Sequence, residues 1–289
     1  MEIQFYCPRW GSENLSWEDF CQKASNAGYD GIEVGFAQND TAAGFMQIWN
    51  TAEKYKLKVI IQHYDTCDAD FSKHFDLYCT WLEKVKTLPC VKINSQTGRD
   101  FFSVEQNTAL IEAALQVSKQ TGVQIVHETH RNKFSFAAHI AKNYLHEIPD
   151  LKLTLDASHW VCVAESFLED QVEALELAIE RAEHIHARVG YPCGPQIPDP
   201  RMPEWQHALN MHLNWWDKVV ERKKKEQSVL TITPEFGPSP YMVYLPGTQT
   251  PLCDQWEVNV YMMELLRERY AKGYNSSQMG VLANQTEKI

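Results

Sequence analysis

Four segments in the second half of the chain end in the same way. "VQIVHET" closes on Glu128 and "LKLTLDA" on Asp156, while "HIHARVG" carries His186 and "VLTITPEFG" carries Glu235. Each is a short apolar run that stops at a carboxylate or an imidazole. Taken singly, such a residue is a helix cap or a surface charge. One on each of four consecutive runs is a different matter, because the four can converge on one point. Three carboxylates and an imidazole brought together raise one another's pKa values unless a divalent cation offsets the repulsion. Oxygen-dominated ligation with one nitrogen suits Mn²⁺ or Mg²⁺, with Co²⁺ or Zn²⁺ also admissible. His184 stands two residues before His186 and is the alternative nitrogen; His186 is preferred because it lies nearer the end of its run.

For these residues to meet, the runs must be parallel strands whose C-terminal ends share a face. Eight apolar, β-rich runs recur along the chain, at 3–7, 31–36, 58–64, 90–95, 123–129, 151–157, 184–190 and 229–237. Helix grammar fills the gaps. Ser16 and Ser103 each open a capping-box pattern, Gly28 and Gly122 end the helices that follow, and 167–182 and 205–225 are amphipathic. The basic run at the end of the last stretch is expected to be a solvated helix end. Strands apolar on both faces and alternating with helices imply a covered parallel sheet. Eight such units, with no G-x-G-x-x-G after the first strand, predict a single-domain (β/α)8 TIM barrel over residues 1–271. Residues 272–289 are expected to form a loosely ordered tail. Neighbouring strands lie ~4.8 Å apart, so four of them span half of a small ring and their end residues can reach its axis.

Other residues have the right position to join a site at that face. Arg188 lies two residues past His186 and so points to the same side of its strand. It suits a carboxylate, phosphate or hydroxyl of a substrate, or a pairing with the metal carboxylates. His130 and Arg131 follow Glu128, and His63 ends the third strand. Tyr6, Trp10, Phe36, Tyr64 and Trp160 lie near strand ends, where rings would pack against the C–H faces of a sugar. The long Gly/Pro-rich connections 190–205 and 237–256 both follow strands and so belong to the same face.

Composition narrows the field. Of 289 residues, 44% are hydrophobic and 22% charged, enough for a core that needs neither disulfides nor a structural metal. The formal net charge of −11 argues against nucleic acid as a partner. The eight cysteines are scattered without a C-x-x-C pair, no apolar run has the length of a membrane span, and "MEIQFYC" carries no signal-peptide pattern. A cytoplasmic protein is expected.

With "GYDGIEVG" at the second strand, and Glu, Asp-x-x-His, His and Glu across the last four, the chain resembles the xylose-isomerase-like TIM barrels. That group includes sugar isomerases and epimerases, inosose dehydratases, hydroxypyruvate isomerases and endonuclease IV. The resemblance implies a metal quartet of Glu128, Asp156, His186 and Glu235, with His159 contacting substrate. It also implies that Glu128 and Glu235 serve as acid and base on opposite faces of a bound sugar, moving a proton beside a carbonyl. His63, His130 and Arg188 complete the candidate substrate contacts.

Departures from the family are informative. Endonuclease IV adds histidines from strands three and four and an Asp-x-His after strand seven; here "KINSQTG" has none and Asp199-Pro200-Arg201 stands in place of the last. Ketose 3-epimerases place an arginine where this chain has Pro192, leaving Arg188 or Arg201 to replace it. Proline interrupts both long loops, so no Gly-rich phosphate cradle forms. The expected function is a metal-dependent isomerase or epimerase of a small sugar, through an enediolate. The alternative is an inosose- or dehydroshikimate-type dehydratase on the same site. The long loops serve as lids or as contacts in a homo-oligomer.

Overall fold

The computed structural model describes residues 1–271, and in it the eight runs are eight parallel strands. These are β1 (Glu2–Pro8), β2 (Gly31–Gly35), β3 (Lys58–His63), β4 (Lys92–Ser95), β5 (Ile125–Glu128), β6 (Leu153–Leu155), β7 (Ala182–His186) and β8 (Val229–Thr233). Each pairs with the next, and β1 pairs with β8 through Glu2–Val229 to Phe5–Ile232, which closes the sheet into a barrel. Around it lie α1 (Trp17–Asn26), α2 (Ala42–Lys54), α3 (Phe71–Val85), α4 (Val104–Thr121), α5 (Ala138–Glu147), α7 (Val172–Arg181), α8 (Gln206–Glu226) and α9 (Gln255–Ala271). A short extra helix, α6 (Ala157–Ala164), follows β6 directly. The expected tail, 272–289, lies outside the described residues. No helix among the described residues is long and apolar enough to cross a membrane.

Side chains alternate across each strand, so one set faces the helices and the other the barrel axis. The outward set is apolar: Ile32 and Val34, Val59 and Ile61, Ile93, Ile125, Leu153 and Leu155, and Ile185 belong to the core shared with the helices. The inward set is largely polar. Hydrogen bonds join strands that are not neighbours, as when Thr154 Oγ on β6 donates to Asn94 Oδ1 on β4 at 2.7 Å. Asn94 Nδ2 in turn donates to Glu33 Oε1 on β2 at 3.1 Å, and Lys92 Nζ on β4 to Thr231 Oγ1 on β8 at 2.9 Å. Only bonds through the lumen can make those connections.

Local sequence explains the elements. Ser103 and Gln106 form the full capping box of α4, and Gly122 ends that helix in the left-handed conformation, φ 73°. The segment 151–157 is strand only to Leu155; Asp156 then caps α6 by accepting from Ser158 N at 3.1 Å. The basic end of α8 is not simply solvated, as the charge run suggested. Lys223 is buried and pairs with Glu183, and Arg222 reaches Glu183 Oε1 at 3.4 Å and the Ala182 carbonyl.

His212 in the middle of α8 anchors the chain leaving β7. Its Nδ1–H donates to Ala208 O at 2.9 Å, and its Nε2 accepts from Gly190 N at 3.3 Å. Gly190 has no room for a side chain there, since a Cβ would lie 2.8 Å from Ser158 on α6. Burial pushes the His212 pKa down from 6.5 to about 4, only partly opposed by its bond to Ala208 and by Asp156. The folded ring therefore stays neutral where the unfolded ring is protonated. Its stabilising contribution is complete above about pH 6.5 and is lost as pH falls toward 4, with a slope near 1.4 kcal/mol per pH unit. Replacing His212→Gln should flatten the acid side of the stability–pH curve by about that slope. Urea unfolding at a series of pH values measures this, and an unchanged slope contradicts it.

Candidate active site

The inward alternation carries past the strand ends and brings the four sequence-predicted ligands together. One donor atom from each of Glu128, Asp156, His186 and Glu235 lies within 4.8 Å of every other, and all four residues are buried. Each side chain is held from behind. Glu128 Oε2 accepts from Asn94 Nδ2 and from Gln96 Nε2, both at 3.2 Å. Asp156 Oδ1 accepts from Ser158, Glu235 Oε1 accepts from Gln62 Nε2 at 3.3 Å, and His186 Nε2 lies 3.1 Å from Glu33 Oε1. The opposite atoms turn inward on one another. Glu128 Oε1 and His186 Nδ1 are buried without a hydrogen-bond partner, although His186 Nδ1 faces Glu235 Oε2 at 2.8 Å.

Glu33 is the residue that orders this arrangement. It receives Nε2 of His184 at 3.1 Å, Nε2 of His186, Asn94 Nδ2 and the Thr233 hydroxyl. A carboxylate only accepts, so both rings present Nε2–H to it, which leaves Nδ1 of His186 as the atom available to the quartet. Burial alone would raise the Glu33 pKa, but the His186 and His184 rings hold it well below the usual carboxylate range. Burial would likewise lower the pKa of His186, yet Glu235, Glu33 and Glu128 around it hold it well above that of an ordinary histidine. A metal ion held by the quartet would have to displace a proton from that nitrogen. Glu128 is pulled down to about 2 against its burial, chiefly by His186, whereas burial raises Glu235 despite His186 and Arg188. His184 sits one layer deeper, with Nδ1 against Thr231 Oγ1 at 2.8 Å, and is not part of the quartet.

The remaining candidates divide. Arg188 is buried and inward: Nη2 contacts Asp156 Oδ2, lies 3.4 Å from Glu235 Oε2 and donates to His159 Nε2 at 2.9 Å. His159 is thereby an Nδ1–H tautomer behind Arg188, with that Nδ1 unpartnered and its ring 4.0 Å from the His130 ring. His130 lines the cavity above the quartet and donates from Nδ1 to the Arg131 carbonyl at 2.5 Å. His63 faces the helix layer, packed between Tyr78 and Trp81 and bonded to Thr66 Oγ1 at 2.7 Å. Gln62, one residue earlier, is the inward side chain of that strand. Arg201 forms a two-bond pair with Asp199 and is not among the cavity-lining residues.

The cavity has a volume of about 520 Å³ and is floored by Glu33, Glu128, Glu235 and Arg188. Gln62 and Gln96 supply amides, and Trp10, Trp17, Tyr64 and Tyr241 supply rings. Of the aromatic residues singled out from sequence, Trp10 and Tyr64 line it. Tyr6 bonds to Gln4 Oε1 at 2.8 Å, Phe36 packs on Phe45, and Trp160 donates to the Ser135 carbonyl at 2.7 Å. Sequence reasoning missed Glu33, Asn94, Gln62, Gln96 and Tyr241. A charged or amide residue in an apolar run, at an inward position of the alternation, was the available signal for the first four.

The quartet suits a divalent cation on its own chemistry. Glu128 Oε1 is buried without a hydrogen-bond partner, His186 Nδ1 faces only carboxylates, and three carboxylates with one imidazole are the hard donor set that Mn²⁺ or Mg²⁺ prefers. Two other groupings of similar residues are less suited. In Glu33, His184 and His186 the nitrogens nearest the carboxylate already bond to it. In Glu128, His130 and His159 the last ring accepts from a guanidinium. Because four donors end on Glu33, Glu33→Ala should cost about 3 kcal/mol or more in stability. Denaturant unfolding measures it, and a loss below about 1 kcal/mol contradicts the anchoring role.

No protein-family model and no curated protein matches the sequence. Solved structures do match in shape. A probable 3-DHS dehydratase, AsbF, involved in petrobactin synthesis in Bacillus anthracis, has 17% identity and a TM-score of 0.57, over 93% of this chain and 100% of its own. D-psicose 3-epimerase from Clostridium cellulolyticum H10 has 12% identity and a TM-score of 0.57, over 92% and 98%. A sugar phosphate isomerase/epimerase from Parabacteroides distasonis has 12% identity and a TM-score of 0.59, over 91% and 93%. At these identities the likeness is one of fold, a closed eight-stranded (β/α)8 barrel.

Proposed function

We propose that this protein is a divalent-metal-dependent isomerase or epimerase that moves a proton beside the carbonyl of a small, uncharged sugar. The observation that carries the reading is the convergence of one donor atom each from Glu128, Asp156, His186 and Glu235 within 4.8 Å of one another, all buried beneath an aromatic-walled cavity. Glu128, Asp156, His186 and Glu235 would hold the ion. When bound, it polarises a carbonyl and a neighbouring hydroxyl oxygen and lowers the cost of the enediolate charge.

The chain's own residues supply the proton transfers. Glu128 and Glu235 both reach the cavity, whereas Asp156 lies behind them. From opposite ends of the quartet, one of these two carboxylates removes the C–H proton and the other returns one. Gln62 and Gln96 hold those carboxylates from the cavity wall and offer amides to sugar hydroxyls, while Trp10, Tyr64 and Tyr241 pack on its C–H faces. Charge points to a neutral substrate. Three carboxylates, one divalent ion and Arg188 sum to zero, and the other arginine lining the cavity, Arg9, is engaged with the Leu15 carbonyl at 2.6 Å and the Trp17 ring at 4.3 Å. The solved structures of like fold named above are a dehydratase, an epimerase and an isomerase/epimerase, which supports an enzyme.

The test is incubation with a panel of ketoses, aldoses and inososes in D₂O with Mn²⁺, read by NMR. Wild type should place deuterium at the carbon beside the carbonyl of recovered sugar. Glu128→Gln and Glu235→Gln at saturating Mn²⁺ should exchange about 100-fold or more slowly. Wild-type exchange rates in both variants would remove the acid–base assignment. Accumulation of an enone with loss of water, in place of labelled sugar, would reassign the site to a dehydratase.

A further inference from the structure

Arg188 stands where two of the four ligands point. Asp156 Oδ1 is occupied by Ser158, so Oδ2 is the atom it has to offer, and Arg188 Nη2 holds that atom. Glu235 Oε1 is occupied by Gln62, so Oε2 is what it has to offer, and that atom lies between the same Nη2 at 3.4 Å and His186 Nδ1 at 2.8 Å. Glu128 Oε1 has no hydrogen-bond partner. One guanidinium nitrogen therefore bonds to one ligand oxygen and stands beside a second.

That guanidinium has other attachments. Its Nε donates to Ser158 Oγ at 3.2 Å, its Nη2 also donates to His159 Nε2, and its carbon lies 4.8 Å from the centre of the Tyr241 ring. It is fully buried and lines the cavity. A residue so tethered can surrender its bond to Asp156 and its place beside Glu235 and still be held by Ser158, His159 and Tyr241.

We propose that Arg188 is a built-in counter-ion for the quartet, which a divalent cation must displace from Asp156 Oδ2 and Glu235 Oε2 in order to bind. The inference rests on the metal reading of the quartet given above and adds a regulatory consequence. Metal affinity is set by competition with an internal cation, so the site loads only when free metal is high enough to win. Loading also releases the Nη2 donor beside the cavity, where it becomes available to a substrate oxygen.

The test is Mn²⁺ affinity by calorimetry, and by chelator competition starting from the Mn²⁺-loaded protein, on wild type, Arg188→Gln and Arg188→Lys. Competition from the loaded form gives a constant even if the glutamine variant folds only with metal present. Arg188→Gln removes the charge and should bind Mn²⁺ about tenfold or more tightly than wild type. Arg188→Lys keeps the charge and should stay within about threefold of wild type. Mn²⁺ should also raise the melting temperature of Arg188→Gln by more than it raises that of wild type. A glutamine variant that binds Mn²⁺ equally or more weakly, while wild type binds, overturns the competition and leaves the metal site standing. Binding by Arg188→Gln alone supports it, since the arginine then wins outright in wild type. Absence of binding in all three overturns this proposal and the metal reading together.

Discussion

Three carboxylates buried within a few ångströms of one another need positive charge among them, and the interior of this barrel is organised around supplying it. Arg188 meets Asp156 and Glu235 from one side, and the His186 ring meets Glu128 and Glu235 from the other. Glu33 then becomes necessary, because a histidine held among carboxylates must have its other nitrogen fixed if its Nδ1 is to keep one direction. From Glu33 the requirement passes inward to His184, Thr231 and Lys92, so the polar lumen continues well below the cavity. Barrels of this type are usually packed with branched apolar side chains along the axis. Here several of those positions form a hydrogen-bonded column under the site.

The rest of the fold holds that column at fixed register. Because side chains alternate strictly along a strand, Glu33, Asn94, Glu128, Thr154, His186 and Thr233 can all face the axis only if every strand keeps its pairing. The outward set, Ile32, Ile61, Ile93, Leu155 and Ile185 among it, locks that register by burying a continuous apolar surface under the helices. Asp156 shows how closely the two demands are joined. It follows β6, caps α6 with one oxygen and turns the other to the quartet, so the start of a helix and the direction of a site carboxylate are one event.

Much of this was legible in the sequence, for a physical reason. Strand ends in a parallel barrel all emerge on one face, so a chemical group repeated at successive ends announces itself without any knowledge of tertiary contacts. That logic recovered all eight strands and brought Glu128, Asp156, His186, Glu235 and Arg188 into view. It gave less where position depended on the barrel's inside. Glu33 was read as part of a strand motif because its partners, His184 and His186, are more than 150 residues away in the chain. Tyr241 comes from a loop whose path no periodicity encodes. His63 and Gln62 are adjacent, and only the alternation relative to neighbouring strands tells which of them faces the axis. Lys223 looked solvated because its run is uniformly basic, whereas Glu183 at the base of β7 draws it inward.

The connections after β7 and β8 are fastened to each other. Gln196 in the first accepts from Gly237 N at 2.7 Å and donates to Gly237 O at 3.2 Å in the second, and Asn259 on α9 binds the neighbouring Phe236 through both backbone groups. That side of the mouth therefore behaves as a fixed wall with two layers. The segment after β1, the strand beside β8, is fastened to the same wall: the Trp10 ring packs edge-on against Tyr241 at 5.2 Å, and the Trp10 carbonyl accepts from Gln255 Nε2 at 2.9 Å. A ligand descending to Glu128 thus passes a mouth whose β7, β8 and β1 sides form one cross-braced jamb.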